Sequence, residues 1–357
     1  MEQFELSPIL ARYDTVLFDL DGVMSGEDVY WNCAALAVYE MYYGDTYYGS
    51  KQLTSQSMEA DLCRIRKQIF CDDRMIRMVK DRGVNSNWDL AYVTLGGALC
   101  AGENADFEQV LRTLAEIPGD TFAFFERVAE QLSERFSAEK GYFDRLGPFW
   151  TAVKDCFQEW FLGCKIYEKV NNRPAKLDGK EGLLHGEEPI VDKEKLRTLL
   201  RLIWQSGKRV GTGTGRPLSE CNGVLEQWGV KKYFTKECII SYNDVMQAEE
   251  VLAKQGIHAE FTKPHPFMFI KGHYGGEISD LDIYKGNYNK ADCSHTLVVG
   301  DAGADLFAAK SAGCDFAAVL TGVQGQEARA FFEKEKADYI LNNVLELMTE
   351  MSDVKGV

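Results

Sequence analysis

Asp19 and Asp21 stand two apart where the apolar run of YDTVLFDLDGVMS, residues 13–25, gives out, and Gly22 follows directly. Alternate residues of a strand point to the same side, so the two carboxylates would meet at a strand tip with few cations near. Further along, the chain sets Thr212 and Thr214 in VGTGTGRP, Lys263 in FTKPHPF, and Asp301 and Asp305 in VVGDAGADLF. Two nearby carboxylates plus another acidic strand end suit a hard divalent cation, and Mg2+ typically takes one or two carboxylates and keeps waters or phosphate oxygens. A carboxylate can also attack phosphorus, dividing one hard displacement into two easier steps. A second carboxyl two residues away can protonate the leaving oxygen and later deprotonate water. Phosphoryl transfer further needs donors on the nonbridging oxygens. Thr214 offers a hydroxyl and adjoining loop NH groups, and Lys263 offers a cation whose position is restrained by Pro264. Asp305, four residues after Asp301, could begin a helix and steady a metal shell from one turn away.

The elements that must position these residues follow from periodicity. Val16 to Leu20 is apolar and β-prone apart from Asp19, and is the one convincing strand of the first half. From Tyr30 to about Leu162 the spacing predicts successive amphipathic helices over AALAVYEMYYG, QSMEADLCRIRKQIFCDDRMIRMVKDRG, NADFEQVLRTLAEI, TFAFFERVAEQL and PFWTAVKDCFQEWFL. The aromatic Trp150, Phe157, Trp160 and Phe161 read as core of that segment. Asn171 to Glu188, polar and glycine-bearing, reads as a connector. From Asp192 onward helical stretches alternate with β-like runs ending at GTGTG, CIISYN, HTLVVG and FAAVL, which predicts an α/β fold with a parallel sheet covered on both faces. The first strand then joins this sheet and the all-helical segment is an insertion, giving a core of residues 1–25 and 188–357 around a helical domain of residues 26–187. In open α/β sheets ligands sit beyond the carboxyl ends of the strands. Asp19 and Asp21, Thr212 to Gly215, and Gly300 with Asp301 would converge on one edge.

Composition narrows the partners. At 357 residues the chain exceeds the size at which single cores usually stop growing, so two units are expected. Apolar residues at 45% and charged ones at 27% suit a globular protein rather than a disordered one. Lys and Arg number 40 against 55 Asp and Glu, a net charge of -15 that would repel a phosphate polymer and argues against nucleic acid. A small anion would then need local help from a metal, lysines or backbone NH groups. The ten cysteines include no CxxC pair, as in reduced core thiols, and point to a cytoplasmic location. No basic leader precedes a long apolar stretch at the start, and no uninterrupted apolar run reaches about 18 residues, so secretion and membrane spanning are not expected. Self-association as a homodimer is left open.

Taken together, FDLDGV, GTGTGRP, the lysine of KPHP and GDAGADLFAAKSAG resemble, in order, the four motifs of haloacid dehalogenase (HAD) superfamily hydrolases, in the branch with a helical cap inserted after the first motif. The motifs cover Asp14 to Asp21 and about Val191 to Val323. The resemblance implies a Rossmann-like core with Asp19 as nucleophile and Asp21 as acid and base. It implies Mg2+ held by Asp19, the backbone carbonyl of Asp21 and Asp301, with Asp305 supporting, and a phosphoryl group held by Thr214 and Lys263. The catalytic hydroxyl of the family's second motif usually precedes Gly-Arg-Pro, which selects Thr214 over Thr212. Gly215 and Arg216 beside it count as substrate-binding candidates. Large mobile caps of this branch close over small phosphorylated metabolites, excluding water. In the insertion Asn85, Asn87 and Trp88, within the polar and aromatic stretch RGVNSNWD, are the substrate-contact candidates.

Each feature also has a plain structural reading. Asp-Gly is an ordinary turn signal, Lys263 could be a solvated surface lysine, and Asp301 with Asp305 could merely favour a helix N-terminus. Asn85, Asn87 and Trp88 could form a helix-linking turn with a buried ring. GTGTG is not a dinucleotide loop, because Arg216 takes the place of the third glycine and the segment lies far from the first strand. His265 and His273, eight apart, share no helical face, and hard cations prefer oxygen. Within the superfamily the second acid, Asp21, favours a phosphatase over dehalogenase or phosphonatase chemistry. The rival functions are a phosphomutase, which hands the phosphoryl group to a sugar, and a noncatalytic metabolite-binding protein.

Overall fold

The computed structural model describes residues 3–84 and 86–351. The chain enters through β1 (Phe4–Leu6) and β2 (Thr15–Phe18). It then runs through eight helices: α1 (Asp28–Tyr43), α2 (Ser55–Ala60), α3 (Leu62–Phe70), α4 (Arg74–Asp81), α5 (Asn87–Ala101), α6 (Phe107–Ala115), α7 (Thr121–Phe136) and α8 (Pro148–Asn171). The rest alternates: α9 (Lys193–Gln205), β3 (Arg209–Gly213), α10 (Leu218–Gln227), β4 (Ile239–Ile240), α11 (Tyr242–Ala253), α12 (Phe267–His273), α13 (Asp280–Lys285), α14 (Lys290–Cys293), β5 (Thr296–Gly300), α15 (Gly303–Ala312), β6 (Asp315–Val319), α16 (Arg329–Lys334), β7 (Tyr339–Leu341) and β8 (Met348–Glu350). Two compact units result. One joins the chain up to Gly26 with the chain from Glu187 onward, and the other runs from Glu27 to Gly186.

In the first unit six strands form a parallel sheet in the order β4-β3-β2-β5-β6-β7. This is the Rossmann-like α/β architecture that the alternation predicts. Strands β2 and β5 are buried along their whole length, as continuous runs such as TVLF and TLVVG require when helices cover both sheet faces. Phe18 lies opposite Thr212 on one side and Val299 on the other. The chain steps from β2 outward through β3 and β4, then crosses back to β5, so the strand order reverses at β2. That switch point is where an open α/β sheet leaves a crevice beyond its strand ends. Leu17, Phe269, Val298, Leu306 and Phe316 belong to the apolar core of this unit.

Residues 4–6 carry no strand signal, yet β1 pairs antiparallel with β8 as a separate two-stranded ribbon, Phe4 opposite Glu350. Three residues are too few to show a period of two, so only the distant partner reveals the strand.

In the second unit α1, α5 and α8 pack on one another. Trp150, Phe157, Trp160 and Phe161 are buried there as expected. Two readings need correction. The stretch QSMEADLCRIRKQIFCDDRMIRMVKDRG is three helices, not one: α2 gives way to α3 at Asp61, and Cys71, Asp72 and Asp73 take left-handed backbone conformations between α3 and α4. Helix α5 was also hidden in the sequence by Gly96 and Gly97, poor helix formers. A Cβ on Gly96 would lie 2.8 Å from Val128 of α7, and one on Gly97 2.9 Å from Val110 of α6. These glycines admit neighbouring helices at close range.

Between α8 and α9 the connector is pinned from inside. The Lys180 ammonium lies 2.6 Å from Glu159 and 2.8 Å from Glu40, all three buried, with the Trp160 ring 4.8 Å away. The ten cysteines are free thiols. Among the described residues no helix is long and apolar enough to cross a membrane.

Candidate active site

Strand β2 delivers Asp19 to the switch point. Its backbone N–H continues the sheet by donating to Val299 at 2.9 Å, and its carboxylate accepts 2.8 Å from the N–H of Leu20. The side chain is buried beside Lys263, whose ammonium lies 3.1 Å from Asp19 and 2.7 Å from Asp305. Asp305 sits in the first turn of α15, where its other oxygen accepts from the Ala302 N–H at 3.3 Å, a local reason for the helix to start there. Single carboxylate oxygens of Asp19, Asp301 and Asp305 all lie within 4.8 Å of one another.

Two glycines shape the space around Asp301. Gly22 follows the acid pair at φ +72°, in a turn where its N–H donates 2.8 Å to Ser25, and a Cβ there would land on the Asp301 carboxylate. Gly322, in the loop after β6, flanks the same carboxylate, and a Cβ on it would come 2.9 Å from Asp301 Cβ and overlap the carboxylate oxygen. The preceding Thr321 hydroxyl donates to the carbonyl of Gly22, tying the two loops together. Gly300 is similarly constrained, since a Cβ would approach Asp305 Cβ to 2.6 Å.

Burial is the main force on Asp19, penalising its anion and lifting its pKa to about 7; Lys263 opposes this, while Asp305 and Asp21 add to it. Burial alone would lower Lys263, yet Asp19 and Asp305 outweigh it and hold the ammonium charged. The pocket thus concentrates acid oxygens faster than it supplies cations, the condition under which a divalent ion is favoured.

Thr214 follows β3 and is fully buried; its N–H donates to Ile240 at 3.0 Å and its hydroxyl oxygen accepts from the Arg216 N–H at 3.1 Å. Thr212 lies within β3, where its buried hydroxyl has no hydrogen-bond partner among the described residues. A Cβ on Gly215 would meet open space. Arg216, a substrate-binding candidate of the sequence, is buried and its guanidinium pairs with two carboxylates. Nε and Nη2 reach Asp21 at 3.1 and 2.6 Å, and Nη2 also lies 2.6 Å from Glu187.

The structure therefore brings Asp19, Lys263, Asp301 and Asp305 together, with Asp21 on the next turn held by Arg216. Asn85 lies outside the described residues. Asn87 and Trp88 are not in a loop: Ser86 caps α5 by accepting from Asp89 N–H, and both residues fall in its first turn. There Asn87 reaches Glu27 at 3.5 Å and the Trp88 ring meets Trp150 edge-on at 6.1 Å. The histidines have local partners, His265 accepting from the Phe267 N–H and His273 beside the Thr296 hydroxyl. Glu187 was missed, because nothing in HGEEPIV separates it from its neighbour Glu188. Gly322 was missed because a lone glycine after a strand reads as a turn.

A six-stranded parallel sheet with an acid pair at the tip of its switch-point strand, and a lysine and two further aspartates around it, is the arrangement that the resemblance to haloacid dehalogenase-like hydrolases implies. Residues 260–347 match the family model described as HAD-hydrolase-like. No curated protein matches the chain. A structural-genomics target solved by X-ray diffraction is similar over 94% of this chain and 97% of its own, at 26% identity and a TM-score of 0.76. Weaker likenesses include a HAD hydrolase of family IA, variant 3, from Entamoeba histolytica (11% identity, TM-score 0.44, 94% and 97% covered) and a hydrolase from Pseudomonas syringae (13% identity, TM-score 0.42, 94% and 95% covered).

Proposed function

We infer that the protein is a Mg2+-dependent phosphatase of small phosphate monoesters that works through an aspartyl-phosphate on Asp19. The observation that carries this reading is the convergence of the buried Asp19 and Asp305 with Lys263 and Asp301 at the strand ends. The all-oxygen donor set suits a hard cation, and the Asp301 carboxylate fills the space that Gly22 and Gly322 leave by having no side chain. Asp19, Asp301 and the backbone carbonyl of Asp21 would hold Mg2+, with Asp305 in support, and the ion would offset negative charge on the phosphoryl oxygens.

Asp19 attacks phosphorus as the P–O bond to the leaving group breaks, and Asp21 gives its proton to the departing oxygen. Water then attacks the aspartyl-phosphate, Asp21 takes a proton from it, and Asp19 and inorganic phosphate are released. Lys263 and Thr214 bind the nonbridging oxygens, with Gly215 in the open loop beside them. The unit from Glu27 to Gly186 serves as the cap that restricts substrates to small phosphorylated metabolites.

The test is phosphate release from a panel of phosphorylated metabolites with Mg2+ or with EDTA. Wild type should turn over members of the panel only with the metal. Asp19→Asn should lose about a thousandfold or more, the scale set by removing a nucleophile that acts as one unit with its partners. Turnover unchanged in Asp19→Asn would refute the assignment. A sugar phosphate converted to its isomer without phosphate release would make the protein a phosphomutase.

A further inference from the structure

We propose that Glu187 and Arg216 are positioning residues that aim the Asp21 carboxyl at the leaving oxygen; this rests on the phosphatase reading above. Asp21 is the more open member of the group, its side chain 26% exposed, whereas those of Arg216 and Glu187 are 2% and 1% exposed. A flexible carboxyl at a partly open turn samples several rotamers unless something fixes it. Arg216 does so with the two-point geometry that a planar guanidinium alone provides, Nε and Nη2 both facing the Asp21 carboxylate.

The guanidinium is itself fixed by Glu187, which shares Nη2 at 2.6 Å. Glu187 in turn is held from two sides. Its backbone carbonyl accepts from Trp228 Nε1 at 2.9 Å and from Gln227 Nε2 at 3.1 Å, and its carboxylate accepts from the Ser25 hydroxyl. Ser25 closes the loop, because its carbonyl accepts from Gly22 in the turn that carries Asp21. Asp21 is thus located by its own turn through the backbone and by α10 through Arg216 and Glu187. Such a closed, buried chain fixes direction, which is what proton delivery to one oxygen requires.

A structural brace and a positioning device differ in what their loss does. In forming the aspartyl-phosphate, the Asp19 oxygen bonds to phosphorus, the P–O bond breaks, and the Asp21 proton moves to the leaving oxygen. The need for that proton grows with the basicity of the leaving group. Nitrophenolate departs without it, while phenolate, with a conjugate acid near the tyrosine value of about 10, needs help. The ratio of kcat/KM for p-nitrophenyl phosphate to that for phenyl phosphate isolates this step, since kcat/KM is blind to the later hydrolysis of the intermediate.

The ratio should rise in Asp21→Asn, and Glu187→Gln and Arg216→Lys should each raise it by about tenfold or more, part of the roughly 10²–10⁴-fold that general acid catalysis supplies. If Glu187→Gln does not fold, Ser25→Ala removes one support of Glu187 and should raise the ratio in the same direction by less. A ratio unmoved in Glu187→Gln or Arg216→Lys, with both substrates slowed alike, overturns the positioning role. A ratio unmoved in Asp21→Asn overturns it too while leaving the phosphatase reading standing. Failure of wild type with Mg2+ to release phosphate from either ester removes the phosphatase reading and this inference with it.

Discussion

Glycine positions at the site do as much as the charged ones. Asp301 is held between Gly22 and Gly322, and only the absence of a side chain on either leaves its carboxylate where the other acids can reach the same ion. Gly322→Ala is the cleaner probe, because Gly22 also has a positive φ that any replacement would strain. The added methyl must displace Asp301, so Mg2+ affinity measured by calorimetry should fall by about 10- to 100-fold, the usual cost of disturbing groups that orient a metal ligand. The stabilisation of the melting temperature by Mg2+ should shrink in parallel. Unaltered Mg2+ affinity would mean that Asp301 does not bind the ion. The acids were legible because their spacing and order are chemical signals in themselves. Gly322 and Glu187 were not, because their roles lie in what they touch across the fold.

At the level of elements, the helices of the second unit depend on one buried cation. Lys180 comes from the irregular connector, yet its ammonium is the counter-charge for Glu40 of α1 and Glu159 of α8. Burial raises the Glu159 pKa, and Lys180 is the main force opposing it. Lys180→Met would leave two carboxylates facing each other in the core, at a cost of about 3–5 kcal/mol, the range for breaking a buried pair from one side. Urea unfolding of this variant measures it. Replacing Glu40 and Glu159 by Gln in the same chain should recover much of the loss, and failure to do so would place the defect in packing rather than charge. The same scale shows where periodicity misleads. α5 carries two glycines and an apolar surface all round, so it lacks the amphipathic stripe by which α6 and α7 are read. The break between α3 and α4 is a backbone event at Cys71, Asp72 and Asp73 that no apolar spacing records.

For the whole molecule, the two crossings between units are neighbours within the first one: Ile190 N–H donates to Met24 at 2.9 Å and Ser25 bridges to Pro189. All six strands of the parallel sheet lie in that unit. Replacing residues 27–186 by a short Gly/Ser linker should therefore leave a protein that unfolds cooperatively in urea by far-UV circular dichroism, because loop closure between adjacent ends costs little. A non-cooperative transition would show that the sheet depends on the inserted helices. Local signals in the sequence alone determined the parallel sheet, the helical character of the insertion and the acid pair, since apolar period, turn residues and two-residue spacing are properties of neighbours in the chain. Tertiary structure decided the β1–β8 pairing, the glycine cradle of Asp301 and the pairing of Arg216 with Asp21 and Glu187. Each joins residues far apart in sequence, and such a contact exists only once the backbone has folded to bring its partners within hydrogen-bonding or van der Waals reach.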